Sequence, residues 1–181
     1  MNKQPVTVAV SGAFDPIHIG HVRYLHEAAK LGDRLIVILN SDDFLLRKKG
    51  FVFMPFEERK EILEAMRGVD EVVAAIDEDQ TVSKTLEIIK PNIFAKGGDK
   101  TGPENIPEIE TCLNIGCKVI TKVGGGKIRS SSELAWKIKD LGLEDKSKVR
   151  IQCPYCDDHP TLKEKCSYCK GTGKIAVRKS I

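Results

Sequence analysis

The stretch Ser11-Gly-Ala-Phe-Asp-Pro-Ile-His-Ile-Gly-His-Val-Arg-Tyr-Leu25 decides how this chain is read. It follows a β-branched run, Val6–Val10, and enters a segment of helical periodicity over about 19–30. In an open parallel sheet, ligands collect outside the carboxyl ends of the strands, where such a loop lies. Gly12 lets the backbone come close to a ligand. His18 and His21 are three apart, so they share one face at the helix N-terminus, and Gly20 between them carries no side chain that would block approach. Free N–H groups and the helix dipole attract anions at that end, and two imidazoles there can donate to a phosphoryl oxygen. The plainer alternative is that the histidines cap or pack the helix. The glycines, the histidine pair and the strand-to-helix location together favour an anion site.

Outward from this junction the same alternation repeats. Strands are expected at Val6–Val10, Arg34–Asn40, Glu71–Ile76, Asn92–Lys96 and Lys118–Val123, and helices at about 19–30, 56–66, 82–89, 107–115 and 131–141. Five strand-then-helix units predict a doubly wound five-stranded parallel sheet with helices on both faces. Pro107 suits a first helical turn, and Ser130 with Glu133 fits a capping box. Ile62, Leu63 and Met66, and likewise Ile88 and Ile89, read as core-facing stripes.

Of 181 residues, 41% are hydrophobic and 30% charged, a globular balance. No apolar run exceeds five residues (Leu35–Leu39 is one), which is strand-sized and far short of the roughly 20 residues that span a bilayer. With no signal-like apolar segment at the start, the chain is expected to be cytoplasmic, with no membrane partner. The net charge of +3 hides an asymmetry. Residues 1–145 hold 20 basic and 23 acidic side chains, whereas 146–181 hold 9 and 3. Cysteines divide the same way: Cys153, Cys156, Cys166 and Cys169 form two CxxC pairs, while Cys112 and Cys117 stand apart and read as packing residues. In a reducing compartment, paired CxxC units predict one closed structural Zn²⁺ site. A segment this small has no core without such a staple. The expected organisation is therefore a domain over 1–141, a linker over 142–150 and a zinc-knuckle tail over 151–181.

The Phe14-Asp15-x-x-His18-x-Gly20-His21 spacing resembles the HxGH signature of the cytidylyltransferase-like nucleotidyltransferases, nearest their heptose-1-phosphate adenylyltransferase and glycerol-3-phosphate cytidylyltransferase branches. The resemblance extends over residues 6–140 through Asn40-Ser-Asp-Asp43, Lys48, Lys96-Gly-Gly-Asp99 and Arg129-Ser-Ser-Ser132. It implies a Rossmann-like, HUP-type fold and transfer of a nucleoside monophosphate from an NTP to a small phosphorylated sugar or polyol, with release of pyrophosphate. It assigns catalysis to His18, His21 and Lys48. Nucleotide binding falls to Gly12, Ala13, Phe14, Gly20, Lys96, Gly98, Asp99, Arg129, Ser130, Ser131 and Ser132. The substrate side falls to Asp15 and Asp42, although Asp15 also reads as a residue that orients the loop. Mg²⁺ is expected to arrive with the NTP. ATP is favoured over CTP, because Gly125-Gly126-Lys127-Ile128 lacks the arginine that the cytidylyltransferase branch carries there.

The second knuckle continues Cys169-Lys-Gly-Thr-Gly173 and resembles the CxxCxGxG unit of DnaJ-type zinc modules. Its basic charge permits nucleic-acid binding without favouring it, and a homo-oligomer is expected from the resemblance alone. The competing reading is an inactive nucleotide-binding module whose zinc tail engages nucleic acid or a protein. An aminoacyl-tRNA synthetase fragment shares the HxGH logic, but the chain is short for one and shows no KMSKS-like loop.

Overall fold

Five strands pair in parallel in the order β3-β2-β1-β4-β5. The computed structural model describes residues 4–97, 106–126, 129–140, 148–152 and 174–178. The chain divides into two compact units, Met1–Lys137 and Ile138–Ile181. In chain order the elements are β1 Thr7–Gly12, α1 Ile19–Ala29, β2 Arg34–Leu39, α2 Asp42–Lys49, α3 Phe56–Glu64, β3 Glu71–Ala74, α4 Ser83–Ile89, β4 Ile93–Gly97, α5 Ile109–Asn114, β5 Lys118–Val123, α6 Ser131–Asp140, β6 Lys148–Gln152 and β7 Lys174–Arg178.

The pleat of β1 and β2 separates two cores. Val8, Val10, Leu35, Val37 and Leu39 pack with Tyr24, Leu25 and Ala28 of α1 and Leu63 of α3. Ala9 and Ile38 face the other way, against Leu86 of α4 and Cys112 of α5. Helices thus cover both faces, and Leu35–Leu39 is buried throughout, as a central parallel strand requires. The strand order reverses between β1 and β4, which sets the switch point at their carboxyl ends.

One helix was not expected. The periodicity predicts no helix between Asn40 and residue 56, yet α2 spans Asp42–Lys49. The Ser41 hydroxyl accepts from the Phe44 N–H at 3.2 Å, Asp42 and Asp43 occupy the first turn, and three cations occupy the last. Those are ordinary end signals, but only Phe44 and Leu45 are buried, too few to register as an apolar stripe.

Pro107 precedes α5 rather than opening it, because the helix begins at Ile109. At the other end, Gly116 adopts φ +71 and the Cys117 and Gly116 N–H groups reach the Cys112 and Leu113 carbonyls at 2.8 and 3.2 Å. This is a Schellman motif, whose apolar contact falls on Cys112 and Cys117, so both are packing residues.

In the second unit, β6 and β7 pair antiparallel from Lys148↔Arg178 to Gln152↔Lys174. β6 begins inside the span expected to be linker; its alternating Val149 and Ile151 are the strand signal that the flanking cations obscured. Gly98, Asp99, Lys127, Ile128, Cys153, Cys156, His159, Cys166 and Cys169 lie outside the described residues. Among the described residues, no helix is long and apolar enough to cross a membrane.

Candidate functional site

A cavity of about 410 Å³ opens at the switch point. Ser11 and Gly12 enter from β1, Lys96 and Gly97 from β4, His18, His21 and Tyr24 from the start of α1, Lys48 and Lys49 from α2, and Arg129–Ser132 from the start of α6. Among the described lining residues, four are lysine or arginine and none is aspartate or glutamate. A concave site with that balance suits a polyanion.

The two histidines are held by the backbone they cap. His18 is the N-cap of α1: its Nδ1 accepts from the Gly20 N–H at 3.1 Å, and the His18 N–H points at His21 Nδ1 at 3.4 Å. Capping and anion binding are therefore not alternatives here. With both Nδ1 atoms accepting, each neutral ring carries its proton on Nε2 and is left as a donor. The rings stack at 3.8 Å, and Phe14 meets His21 edge-on at 4.9 Å. Burial, then the neighbouring His18 and the Lys49 cation, push the His21 pKa down to about 3. Burial and Arg129 lower that of His18. Both imidazoles are thus neutral donors near pH 7.

Gly20 keeps this geometry open, since a Cβ there would lie 2.9 Å from His18 Cε1. Gly20→Ala is expected to leave thermal stability within about 1 kcal/mol, because better helix propensity offsets the displaced ring. The same change should weaken binding of inorganic tripolyphosphate by several-fold to tenfold, measured by calorimetry on the full chain. Unchanged affinity would show that the His18 ring position is irrelevant to the ligand.

The loop after β1 is locked from below by residues that do not line the cavity. Asp15 is fully buried, and its carboxylate accepts from the Phe53 and Met54 N–H groups at 3.0 and 2.7 Å. Arg59, also fully buried, donates from Nε to the Met54 carbonyl (2.9 Å) and from Nη1 to those of Ala13 (2.7 Å) and Asn40 (2.9 Å). Its Nη2 meets Asp42 Oδ1 at 2.5 Å, and Asp42 Oδ2 accepts from the Phe56 N–H at 3.2 Å. Ala13, Asp15 and Asp42, expected at the nucleotide or substrate side, are thus turned to the scaffold. The physical reason is the buried guanidinium, which needs acceptors on every side and draws in the carbonyls of Ala13 after β1, Asn40 after β2 and Met54 before α3, and the Asp42 carboxylate at the start of α2.

The cavity does gather Gly12, Phe14, His18, Gly20, His21, Lys48, Lys96, Arg129, Ser130, Ser131 and Ser132. Ser131 Oγ donates to the Pro16 carbonyl at 3.0 Å, which ties α6 to the loop after β1. The Ser130 hydroxyl accepts from the Glu133 N–H at 3.1 Å, the expected cap. The structure adds Lys49, whose Nζ donates to the Asp15 carbonyl at 2.7 Å and whose pKa burial lowers. It also adds Tyr24, whose hydroxyl donates to the Ala95 carbonyl at 2.6 Å. Tyr24 had a weak signal, three residues past His21 on the same helical face. Gly124 had none: its φ of +84 and a would-be Cβ 2.6 Å from Tyr24 Cα show that only glycine lets β5 close over α1.

The fold and this site define a class, and comparison with known proteins places the chain in it. The profile of the cytidylyltransferase-like family matches residues 9–140, and the chain belongs to that family. It is 48% identical over 94 residues to the bifunctional protein HldE of Hahella chejuensis, an alignment covering 51% of this chain and 19% of that protein. It is 34% identical over 139 residues to the FAD synthase of Aciduliprofundum boonei, covering 75% of this chain and 91% of that one. The crystal structure of a lipopolysaccharide core biosynthesis protein from Thermoplasma volcanium superposes with a TM-score of 0.57 at 28% identity, covering 66% of this chain and 97% of that chain.

Proposed function

We propose that the chain is a nucleotidyltransferase that joins the nucleoside monophosphate of an NTP to the phosphate of a small acceptor. The observation that carries this reading is the cavity lining, which among the described residues holds four cations, no carboxylate and two imidazoles left as Nε2–H donors, all at the switch point. An oxygen of the acceptor phosphate attacks the α-phosphorus. The bond from that phosphorus to the bridging oxygen breaks, and its electron pair leaves with pyrophosphate. Such a transfer needs alignment and charge stabilisation more than a covalent intermediate. In this reading His18 and His21 donate to the oxygens of the α-phosphate as charge spreads over them. Lys48 and Lys49 neutralise the phosphates that meet at the reacting centre, and Arg129 with Ser130–Ser132 holds the β- and γ-phosphates at the start of α6.

Among the described residues, no group of three or more His, Cys, Asp or Glu side chains converges to hold a metal ion. Mg²⁺ therefore enters this reading with the triphosphate, and no step is assigned to a protein-bound metal.

ATP is favoured over CTP for want of the arginine before Arg129. The acceptor is a phosphorylated sugar or polyol, as the resemblance to the heptose-1-phosphate and glycerol-3-phosphate branches implies. FMN, a phosphate monoester on a polyol chain, belongs in the same chemical class, and the FAD synthase likeness supports its inclusion. The test is pyrophosphate release by the full chain with ATP, CTP, GTP and UTP against sugar phosphates, polyol phosphates and FMN. Release with ATP and one of these acceptors is expected. No release from any pair would overturn the enzyme reading in favour of a nucleotide-binding module.

The tail is read as a structural zinc site on Cys153, Cys156, Cys166 and Cys169. The support is the two CxxC pairs and the β6–β7 pairing, which brings residues 152 and 174, the two ends of the cysteine-bearing segment, side by side. Denaturing the full chain with a zinc-sensitive dye present should release stoichiometric zinc. Chelation should unfold this unit while the melting transition of the first unit stays in place. Zinc-free protein with an unaltered tail signal would rule the site out.

A further inference from the structure

In the ribbon formed by β6 and β7, Lys148 lies opposite Arg178, Val149 opposite Val177, Arg150 opposite Ala176, Ile151 opposite Ile175 and Gln152 opposite Lys174. Opposite residues of an antiparallel pair share a face, and successive residues along a strand alternate between faces. The register therefore sorts the ribbon completely. Val149, Ile151, Ile175 and Val177 share one face, all of them apolar and β-branched. Lys148, Arg150, Gln152, Lys174, Ala176 and Arg178 share the other, which holds four cations and no acid.

Strand pairing does not account for the second face. Lys148 opposite Arg178 sets like charges directly across the ribbon, and Arg150 is on the diagonal from Arg178. Such pairs weaken a sheet, whereas a glutamate at either place would strengthen it. Four branched apolar residues gain by leaving water, but four cations without acids among them do not. Burial thus favours the apolar face and leaves the basic one for a polyanion. The sequence around it agrees, since residues 146–181 hold 9 basic and 3 acidic side chains.

Dimensions narrow the choice of polyanion. Same-face neighbours along a strand are about 6.8 Å apart and the two strands about 4.8 Å apart, so the cations fall in a strip roughly 14 Å long. That length is the rise of about four base pairs. The major groove of B-form DNA admits a two-stranded ribbon, whereas that of duplex RNA is too deep and narrow. Neither strand carries an aromatic residue on which an unpaired base could stack, which disfavours a single strand.

We propose that the basic face of the β6–β7 ribbon is a docking surface for duplex DNA, held through the phosphates that flank the major groove. Lysine and arginine contacts to phosphate fix position and carry no sequence information, so binding is independent of base sequence. No residue of the cavity takes part, and the inference stands apart from the nucleotidyl-transfer reading.

The experiment titrates the full chain against a labelled DNA duplex by fluorescence anisotropy, at salt concentrations from about 50 to about 200 mM. Four phosphate contacts give an expected slope of log affinity against log salt of about −3.6. Lys148→Glu puts a carboxylate opposite Arg178 and so turns a like-charge pair into an opposite one. Thermal melts should show no loss of stability. Affinity at the lowest salt should nevertheless fall by about tenfold or more, and the slope should flatten by about one or more. Affinity within about twofold of wild type, or a loss with the slope unchanged, overturns the proposal. Should Lys148→Glu fail to fold, the double variant Lys174→Gln, Arg178→Gln removes two cations without adding a charge and is expected to flatten the slope by about two. Binding to the single strand, to duplex RNA or to phosphatidylglycerol vesicles as tight as to duplex DNA also overturns it, as does wild-type protein that leaves the anisotropy of the duplex unchanged.

Discussion

Replacing His21 by alanine is expected to lower turnover by about 10²- to 10³-fold, the usual cost of one preorganised donor at a developing oxyanion. The loss should fall on kcat rather than on KM, because a neutral Nε2–H contributes most when charge has spread onto the phosphoryl oxygens. The fold should survive, since His21 packs on the His18 and Phe14 rings at the cavity wall rather than in either core. Single-turnover pyrophosphate release, with circular dichroism as the fold control, checks both parts. Turnover near wild type would remove His21 from the machinery.

The same variant has a pH signature. The folded pKa of His21 is about 3, against 6.5 for the ordinary side chain, so between those values the unfolded chain binds a proton that the folded chain does not. Stability from this group is fully present above pH 6.5 and is lost as the pH falls toward 3. At pH 4.5 the difference amounts to about 2.5 kcal/mol. Denaturant melts of wild type and His21→Ala should therefore converge on acidification. A constant gap from pH 7 to 4.5 would mean that His21 is not held neutral.

Replacing Arg59 by methionine is expected to cost about 3–5 kcal/mol, roughly a 10–20 °C drop in melting temperature for a unit of this size. Methionine fills the volume but leaves the Ala13, Asn40 and Met54 carbonyls without their donor. Arg59→Lys should recover only a small part, because one ammonium cannot reach acceptors spread around a planar fork. Nucleotide affinity should fall as well, since Ala13 and the Asp15-bound Phe53–Met54 segment support the loop that carries His18. Urea melts within about 1 kcal/mol of wild type would show the guanidinium to be dispensable.

Arg59 also marks a limit of reading sequence. It stands in Glu57-Glu-Arg-Lys-Glu-Ile-Leu63, a charged helical stretch in which nothing singles it out from Lys60. Lys60 is half-exposed beside Glu64, whereas Arg59 is buried beneath the cavity. Which charged residue turns inward depends on the rotation of α3 against the sheet, and no local pattern encodes that. Asp42 is a second case: nothing in its local sequence shows that its carboxylate serves the buried guanidinium. Lys48 and Lys49 differ likewise, one exposed over Phe44 and one half-buried against Asp15, although they are neighbours in the chain.

Local residues by themselves determined the alternation of strands and helices, because β-branched runs and 3.6-residue periodicity act over a few residues. They determined the His18–Gly20–His21 junction too, because a cap, a helix start and a histidine pair are all contained within one turn. Only the tertiary structure decided what surrounds that junction. The sheet order brings Lys96 of β4, Arg129 at the start of α6 and Lys49 of α2 to one cavity from positions as much as 80 residues apart. It also decided which charges are spent. Burial places Glu108 on Lys96 and Arg59 on Asp42 and leaves Lys48 and Arg129 without an ion pair among the described residues, because a charge taken from water must find a partner and one left at the cavity mouth need not.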